Sequence, residues 1–294
     1  MLKLEGREFF RSEAQCVSVE PRSPQPAFPM HDHDFCEIVI VASGNGWHVL
    51  NGEPHLLSCG ELLYLGPGDR HAFEQVQDLY LTNVIYRPSG SLSDPERLLP
   101  FLHPSELRPS AGATGEPRYW QVSEAALRAL GPLLAALNDE SRRSDEASSL
   151  MAESLLGQLV VTLWRERYAI DGHGLSDDGR LAQVLKFLRQ NCTQPIDLDE
   201  LARRYGYSTR NLRRVFREAT ATTPHDYLVK LRLCRAIRAL GTSDDSITDV
   251  ALASGFSDGN YFSYAFRKLT GMSPSRYRRE VGAVRRKDDA AALA

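Results

Sequence analysis

The chain has 294 residues, of which 42% are hydrophobic, and this length and composition predict two domains with packed cores. The net charge of −3 conceals an asymmetry, because residues 180–287 carry 21 Lys and Arg against 10 Asp and Glu, while the remainder is acidic. We expect a cytoplasmic protein with reduced thiols, since the sequence shows no signal peptide, no apolar run of membrane-spanning length, and five scattered cysteines without a C-x-x-C pair.

Short β-strands are predicted for residues 17–88. Runs of β-branched and aromatic residues at 38–41 and 62–65 are separated by turn signals, and Asn51-Gly52 is a strong two-residue hairpin signal. Many short strands at close intervals favour a small barrel or jelly roll, a fold that commonly holds one small ligand.

Three histidines and a glutamate fall within these strands at a distinctive spacing. Because alternate residues of a strand face the same side, His31 and His33 can point together. The pattern H-x-H-x3-E, followed later by a glycine-flanked histidine, resembles the two sequence motifs of the cupins. This resemblance implies that His31, His33, Glu37 and His71 converge inside a barrel, where such a ligand set suits Fe, Zn, Mn or Ni.

The match to the cupin motifs is incomplete, since Gly66 stands where cupins often carry Pro, and Gln75 stands at the position of the final Asn. Three roles for the four polar residues therefore stay open. They hold a divalent metal, or they bind a small polar effector directly by hydrogen bonds, or they are structural histidines of the core.

Two amphipathic helices are predicted after an irregular connection at 87–118 that is rich in Pro, Ser and Gly. Apolar residues recur at helical spacing over 122–140 and again over 151–168. A polar, glycine-rich segment then suits a linker between domains. The predicted boundaries are 1–170 for the first domain, 171–179 for the linker, 180–281 for the second domain and 282–294 for a disordered tail.

A helix-turn-helix is predicted over residues 197–219. Gly206 marks the turn, and apolar residues of the second helix recur on one face. Arg210, Arg214 and Arg217 fall on the opposite face, where we expect no carboxylate partner at helical spacing. Such a face suits phosphate contacts and bidentate contacts with guanine, and a merely solvated basic surface is the alternative.

The same form recurs over residues 246–279, where Gly255 ends the first helix and Asp258 can cap the second. Asn260, Tyr264 and Arg267 lie opposite the apolar face of that second helix. Two short helices joined by a glycine turn, with polar residues facing outward, are the form of a DNA-reading motif. The duplication favours this interpretation over an ordinary helical hairpin.

A long helix at 224–240 is predicted to connect the two motifs and to bury an apolar stripe. Arg232, Arg235 and Arg238 lie mostly off that stripe. We expect them on a solvated face, with phosphate contacts as the alternative.

Residues 180–280 resemble the DNA-binding domain of the AraC family of bacterial transcription regulators. The second motif matches the pattern A-x-x-x-G-F-x-D-x-x-Y-F-x-x-x-F-+-x-x-x-G-x-(S/T)-P-x-x-(Y/W)-R at many fixed spacings. The matching residues are Ala251, Gly255, Phe256, Asp258, Tyr261, Phe262, Phe266, Arg267, Gly271, Ser273, Pro274, Tyr277 and Arg278.

Within that family, the segments 20–41 and 81–88 resemble the L-rhamnose-responsive activators. The resemblance implies base contacts by Arg210, Arg214, Asp258 and Asn260, although Asp258 can equally serve as an N-cap. The arginines and the lysine beside them are assigned to phosphates, which position the protein without reading the sequence. These phosphate-binding residues are Arg213, Arg217, Arg267 and Lys268.

The expected fold is therefore α+β, with a cupin-like β-barrel and helices followed by an all-α domain containing two helix-turn-helix motifs. The resemblance implies a homodimer, built through one of the two N-terminal helices, that binds double-stranded DNA and RNA polymerase and senses a small sugar. One alternative is a metal-dependent cupin enzyme fused to a DNA-binding domain. Another is a regulator whose barrel is an empty dimerisation module.

Overall fold

A computed structural model describes residues 2–13, 15–87, 119–171 and 179–280. The described residues up to Asp171 form a sheet-rich domain, called the sheet domain below, and residues 179–280 form an all-helical domain, called the helical domain. The predicted α+β fold class is confirmed. The predicted irregular connection beyond Arg87, most of the predicted linker and the predicted disordered tail lie outside the described residues.

The sheet domain contains one eight-stranded sheet built on two long central strands. β4 pairs with β7 along one edge and with β5 and β6 along the other, while β7 pairs with β2 and β3 on its far edge. The strands are β1 (Leu2–Leu4), β2 (Val17–Arg22), β3 (Phe28–His33), β4 (Cys36–Leu50), β5 (Glu53–Ser58), β6 (Glu61–Leu65), β7 (His71–Tyr86) and β8 (Tyr119–Gln121).

The register between β4 and β7 shifts three times between Val41 and Trp47, and these bulges divide the sheet into two halves. One half contains β3, β5 and the adjoining ends of β4 and β7, and the other contains β2, β6, β8 and the remaining parts of β4 and β7. Apolar residues of both halves, including Val39, Leu63 and Phe73, belong to one buried cluster. The two halves therefore pack face to face around an interior.

Because successive side chains of a strand point to opposite faces, every other side chain in the second half of the sheet points away from the interior. These side chains belong to a second buried core. Ile38, Tyr64 and Val84 lie on this face and pack against two helices. These helices are α1 (Glu124–Ser141) and α2 (Glu146–Asp171), which overlap the two predicted amphipathic segments. Among the described residues, no helix combines the length and the apolar character that a membrane span requires.

The helical domain contains two helix-turn-helix units on either side of a long helix. Gly206 and Gly255 adopt positive φ angles of 72° and 95° at the two turns, as the sequence predicts for turn glycines. Its helices are α3 (Arg180–Asn191), α4 (Leu198–Arg204), α5 (Thr209–Thr220), α6 (Pro224–Thr242), α7 (Ile247–Ala253) and α8 (Gly259–Thr270), and residues 274–280 are also helical.

The two domains share a continuous core. Trp47 and Leu56, on the sheet domain, lie in the same buried cluster as Leu188, Phe216 and the rest of the helical-domain core. The helical domain is therefore packed directly on the first half of the sheet.

Candidate nucleic-acid interface and ligand pocket

The second helix of each helix-turn-helix buries one face and exposes the other. On α5, Leu212 and Phe216 are 1% and 0% exposed, and on α8, Phe262 and Phe266 are both fully buried. Four-residue spacing keeps each pair on one face, so the remaining positions turn outward. All eight residues predicted to contact DNA are exposed: Arg210, Arg213, Arg214, Arg217, Asp258, Asn260, Arg267 and Lys268.

The expectation that the arginines of α5 lack carboxylate partners is wrong for Arg214. Its Nη1 lies 2.8 Å from both carboxylate oxygens of Glu218, and its Nη2 donates to Asn211 Oδ1 at 3.0 Å. Glu218 stands four residues after Arg214, a spacing that brings helical side chains together. Arg214 must exchange these partners before it can contact a base.

Asp258 caps helix α8. Its Oδ1 accepts hydrogen bonds from the backbone N–H groups of Asn260, at 2.7 Å, and Tyr261, at 3.1 Å. The capping role that the sequence offered as an alternative is therefore present. Because both bonds use Oδ1, the structure leaves Oδ2 as the oxygen with which a base amino group could pair.

The C-terminal ends of α5 and α8 lie against the sheet domain. Asn45 Nδ2 donates to the carbonyl oxygen of Thr220, the last residue of α5, at 2.7 Å. The side chain of Gln75 likewise donates to the carbonyl oxygen of Leu269 in the last turn of α8. Both helices have 12 residues, so their N-terminal ends, where Arg210, Asp258 and Asn260 lie, are about 16 Å away from these contacts, while Arg214 lies at the middle of α5.

The arginines of α6 were expected on a solvated face, and Arg235 and Arg238 are exposed while Arg232 is half-buried. Two of them also bind other parts of the chain. Arg232 donates to the backbone carbonyls of Cys192 and Gln194 at 2.7 and 3.0 Å. Arg238 forms an ion pair with Glu53 of the sheet domain. They therefore hold the fold and the domain junction together.

In the interior of the sheet domain, His33, Glu37 and His71 converge. Glu37 Oε2 lies 3.5 Å from His33 Nε2 and 3.7 Å from His71 Nε2, and all three residues are buried. Within the described ranges, they form the one set of potential metal ligands whose donor atoms lie within 4.8 Å of one another.

His31 lies beside this set, not within it. Its ring centroid is 4.0 Å from that of His71, and its Nδ1 is 2.9 Å from the carbonyl oxygen of Pro29. Of the four residues that the sequence proposes for metal or effector binding, three point at one another and the fourth packs against them.

Two ring nitrogens of this set lack hydrogen-bond partners. The Nε2 atoms of His33 and His71 are buried without a hydrogen bond. His33 Nδ1 donates to the carbonyl oxygen of Phe35 at 2.8 Å, so its Nε2 carries a lone pair that faces Glu37. Burial lowers the pKa of His33 to about 4 and that of His71 well below its ordinary value, and raises the pKa of Glu37 to about 8.

This arrangement fits a divalent metal. Two neutral imidazoles with orphaned nitrogens and one carboxylate are a ligand set for first-row transition metals, and the carbonyl on His33 Nδ1 is the kind of outer contact that orients a ligating ring. The same orphaned atoms equally fit hydroxyl groups of a bound organic molecule.

A cavity of about 150 Å³ opens beside His31, Glu37 and His71. Aromatic rings form much of its wall, and three of its polar residues were not predicted from the sequence: Arg22, Gln25 and Asn83. The sequence could have indicated Asn83. It is an amide at an inward-facing strand position, whereas the inward-facing positions on either side of it, 81 and 85, are apolar. Arg22 and Gln25 reach the cavity through the tertiary fold. Its aromatic lining residues are Phe9, Phe28, Phe35 and Phe73.

A larger cavity, of about 460 Å³, lies between the two domains. His55, Glu61 and Tyr119 line it from the sheet domain, and Arg189 and Arg235 line it from the helical domain. The histidine cluster is not part of it. Volume alone therefore does not identify a ligand site, and the chemistry of the convergent polar groups favours the smaller cavity.

Comparison with known proteins matches residues 16–160 to the AraC-like ligand binding domain and residues 201–280 to a helix-turn-helix domain. The HTH-type transcriptional activator RhaR of Yersinia pestis bv. Antiqua (strain Angola) is 37% identical over 278 residues, covering 94% of this chain and 93% of the relative. The HTH-type transcriptional activator RhaS of Escherichia fergusonii is also 37% identical, covering 95% and 97%. A crystal structure of an AraC-type transcriptional regulator from Chromobacterium violaceum covers 36% of this chain and 94% of its own, with 31% identity and a TM-score of 0.34.

Proposed function

Since this chain belongs to the AraC family of transcriptional regulators, we propose that it activates transcription when a small sugar, L-rhamnose, binds in the cavity beside His71. It is a DNA-binding regulator and not an enzyme, in line with relatives that are named transcriptional activators. The observation that carries the proposal is one chain with two helices whose predicted DNA-contacting residues are exposed, together with a pocket of aromatic and polar side chains.

The chemistry of the pocket supports a sugar. A deoxy sugar presents hydroxyl groups and one apolar patch, and the cavity offers buried hydrogen-bonding atoms beside phenylalanine rings. Asn83 Oδ1 and His71 Nε2 are both buried without a partner, so each can bond a sugar hydroxyl. At about 150 Å³, the cavity has room for one small molecule.

A divalent metal would be held by His33, Glu37 and His71. When bound, it would supply a Lewis-acidic centre that a sugar hydroxyl or carboxylate can coordinate. The protein residues themselves orient the ligand and exclude water, because all three are at most 4% exposed. His31 would then bind the ligand and not the metal.

On the DNA side, we assign base contacts to Arg210, Arg214, Asp258 and Asn260. Two recognition helices whose N-terminal ends point away from the sheet domain suit successive major-groove segments. Phosphate contacts are assigned to the neighbouring basic residues, which supply the sequence-independent part of the affinity. These are Arg213, Arg217, Arg267 and Lys268.

We further propose that the protein acts in the cytoplasm as a homodimer and recruits RNA polymerase, as the family resemblance implies. The exposed apolar side chains of α2 support a dimer contact there, since Leu150 and Met151 are 62% and 51% exposed. Charged substitutions at both positions should shift the protein to monomer in analytical ultracentrifugation.

The test is calorimetry of the full chain with L-rhamnose, other deoxy sugars and unrelated monosaccharides, followed by DNA binding with and without the sugar that binds. We expect saturable binding of L-rhamnose, its loss in Asn83→Leu, and a sugar-dependent change in DNA affinity. A protein that binds DNA but none of the sugars would instead favour an empty dimerisation module.

A further inference from the structure

We propose that Tyr119 is a positioning residue that couples the sensory pocket to the helical domain, a proposal that rests on the sensory role of the pocket. Tyr119 stands in the middle of a continuous series of side-chain contacts that begins at the pocket and ends in the core of the first helix-turn-helix. The series, called the coupling chain below, is His71, His48, Tyr119, His55, Glu61 and Arg189.

The pocket end of the coupling chain is made of hydrogen bonds. His71 lines the 150 Å³ cavity, and its Nδ1 lies 3.1 Å from His48 Nε2. His48 Nδ1 in turn lies 2.7 Å from the hydroxyl oxygen of Tyr119. His48 and His71 are buried, so water does not compete for the bond between the two imidazoles.

These bonds link the hydrogen positions of three residues. A neutral imidazole has one N–H and one lone pair. If a ligand donates to His71 Nε2, then His71 Nδ1 donates to His48 Nε2, and His48 Nδ1 donates to the Tyr119 oxygen. If a ligand instead accepts from His71 Nε2, every bond reverses and Tyr119 donates to His48. The polarity of the ligand group at His71 therefore determines where the Tyr119 hydroxyl hydrogen points.

The ring of Tyr119 makes the next contact of the coupling chain. Its ring stacks on His55, with centroids 3.6 Å apart and planes inclined by 10°. His55 Nε2 donates to Glu61 Oε1. A shift of the Tyr119 ring therefore moves the imidazole that holds one oxygen of Glu61.

Glu61 and Arg189 extend the coupling chain from the sheet domain to the helical domain. Arg189, on α3, donates from both terminal nitrogens to the carboxylate of Glu61 and also, at 2.8 Å, to Ser58 Oγ. Its guanidinium lies 5.8 Å from the ring of Tyr227 on α6. The Tyr227 ring is 5.3 Å from that of Phe216, the buried residue of recognition helix α5.

Of the residues in the coupling chain, Tyr119 is the one whose coupling contact can be removed with the least disturbance of the fold. Its hydroxyl binds His48 and its ring binds His55, so Tyr119→Phe removes the first contact and keeps the second. The side chain is only partly buried, and the loss of one hydroxyl leaves the core intact. Tyr64 provides a matched control, because its hydroxyl bonds Cys36 Sγ on the opposite face of the sheet.

The experiment is hydrogen–deuterium exchange of the full chain, read at residues 180–191 of α3, in wild type, Tyr119→Phe, His48→Leu and the double variant. We expect faster exchange of α3 in each single variant and no further increase in the double variant over His48→Leu, since both substitutions break the same bond between His48 and Tyr119. Tyr64→Phe should leave α3 unchanged. An unchanged α3 in Tyr119→Phe, or additive effects in the double variant, would overturn the proposal.

A second measurement separates coupling from sensing. In calorimetry, Tyr119→Phe should bind L-rhamnose as wild type does, while the sugar-dependent change in DNA affinity falls by at least about fivefold, the lower end of common coupling factors. Retention of the full sugar effect would contradict the inference. If wild type binds no sugar, the proposed effector is wrong, and the exchange experiment still decides whether the coupling chain joins the domains.

Discussion

The carboxylate of Glu61, in the sheet domain, receives two N–H bonds from the guanidinium of Arg189, in the first helix of the helical domain. Glu61 is 1% exposed and the side chain of Arg189 is 19% exposed. Fork-to-carboxylate pairing of this kind fixes orientation as well as distance. The pair therefore helps to fix the orientation of the sheet domain on the helical domain.

The stability of wild type should fall in acid more steeply than that of Glu61→Gln. Burial alone would raise the pKa of Glu61, but Arg189 and His55 outweigh burial and lower it from 4.5 to about 2. A depressed carboxyl pKa contributes stability above pH 4.5 that is lost as pH falls toward 2. The contribution amounts to about 3 kcal/mol, since one pKa unit corresponds to about 1.4 kcal/mol.

Urea unfolding at pH values between 2.5 and 7 measures this effect. The difference in unfolding free energy between wild type and Glu61→Gln should be largest at neutral pH and shrink below pH 4.5. The exposed Glu13→Gln is the matched control and should track wild type at every pH. A constant difference across the range would show that Glu61 does not titrate as the ion pair requires.

Gly44→Ala should be far more damaging than Gly52→Ala, although both glycines have φ near +80°. A Cβ at Gly44 would lie 1.8 Å from the carbonyl oxygen of Asp78, whereas a Cβ at Gly52 meets nothing within 4 Å. The cost at Gly52 is the left-handed backbone alone, about 1–2 kcal/mol. At Gly44, the added Cβ would force the bulge between β4 and β7 to open. We therefore expect Gly44→Ala to lower the free energy of unfolding, measured in urea, by more than about 3 kcal/mol.

The same substitution should loosen the domain junction, because Asn45, which binds Thr220 and Lys230, follows Gly44 directly. Small-angle X-ray scattering should then show a larger radius of gyration for Gly44→Ala than for Gly52→Ala. Equal radii would mean that the bulge does not hold the helical domain.

Arg214→Ala should relax base specificity at one position of the DNA site, at a cost of roughly 1–3 kcal/mol there. Arg213→Ala, its neighbour on the same helix, should weaken binding to all sequences and reduce the salt slope by about one. Glu218→Gln should strengthen binding, because it frees Arg214 from its ion pair. Selection from a randomised duplex library identifies the preferred DNA site of each variant. Fluorescence anisotropy on single-base variants of that site, at several salt concentrations, then gives the change in DNA affinity for each of the three substitutions. Uniform weakening by Arg214→Ala would rule out base reading.

Metal binding at the histidine cluster should depend on His33, Glu37 and His71. Titration with Co²⁺, followed by absorption, should give one site in wild type and at least about tenfold weaker binding in His33→Ala or His71→Ala. His225→Ala is the matched control, since that imidazole is 62% exposed in the helical domain. Equal Co²⁺ affinity in all variants would leave the cluster to an organic ligand or to a structural role.

Hydrophobic periodicity and turn glycines were enough to predict the α+β class, the two helix-turn-helix motifs and the exposure of the residues proposed to contact DNA. These features depend on residues close in sequence, such as Phe262 and Phe266, whose spacing on one helix decides which face is buried. Strand alternation likewise explains why His31 and His33 are both buried in the interior.

The tertiary structure alone decided which residues distant in sequence contact one another. Sequence spacing could not show that His31 lies beside the His33, Glu37 and His71 set, that Arg22 and Asn83 line the pocket, or that Glu61 meets Arg189 128 residues away. Local propensity fixes which face of a helix or strand is apolar. Which two faces meet depends on bulges, bends and packing across the whole chain, and this packing is what places the helical domain on the sheet domain.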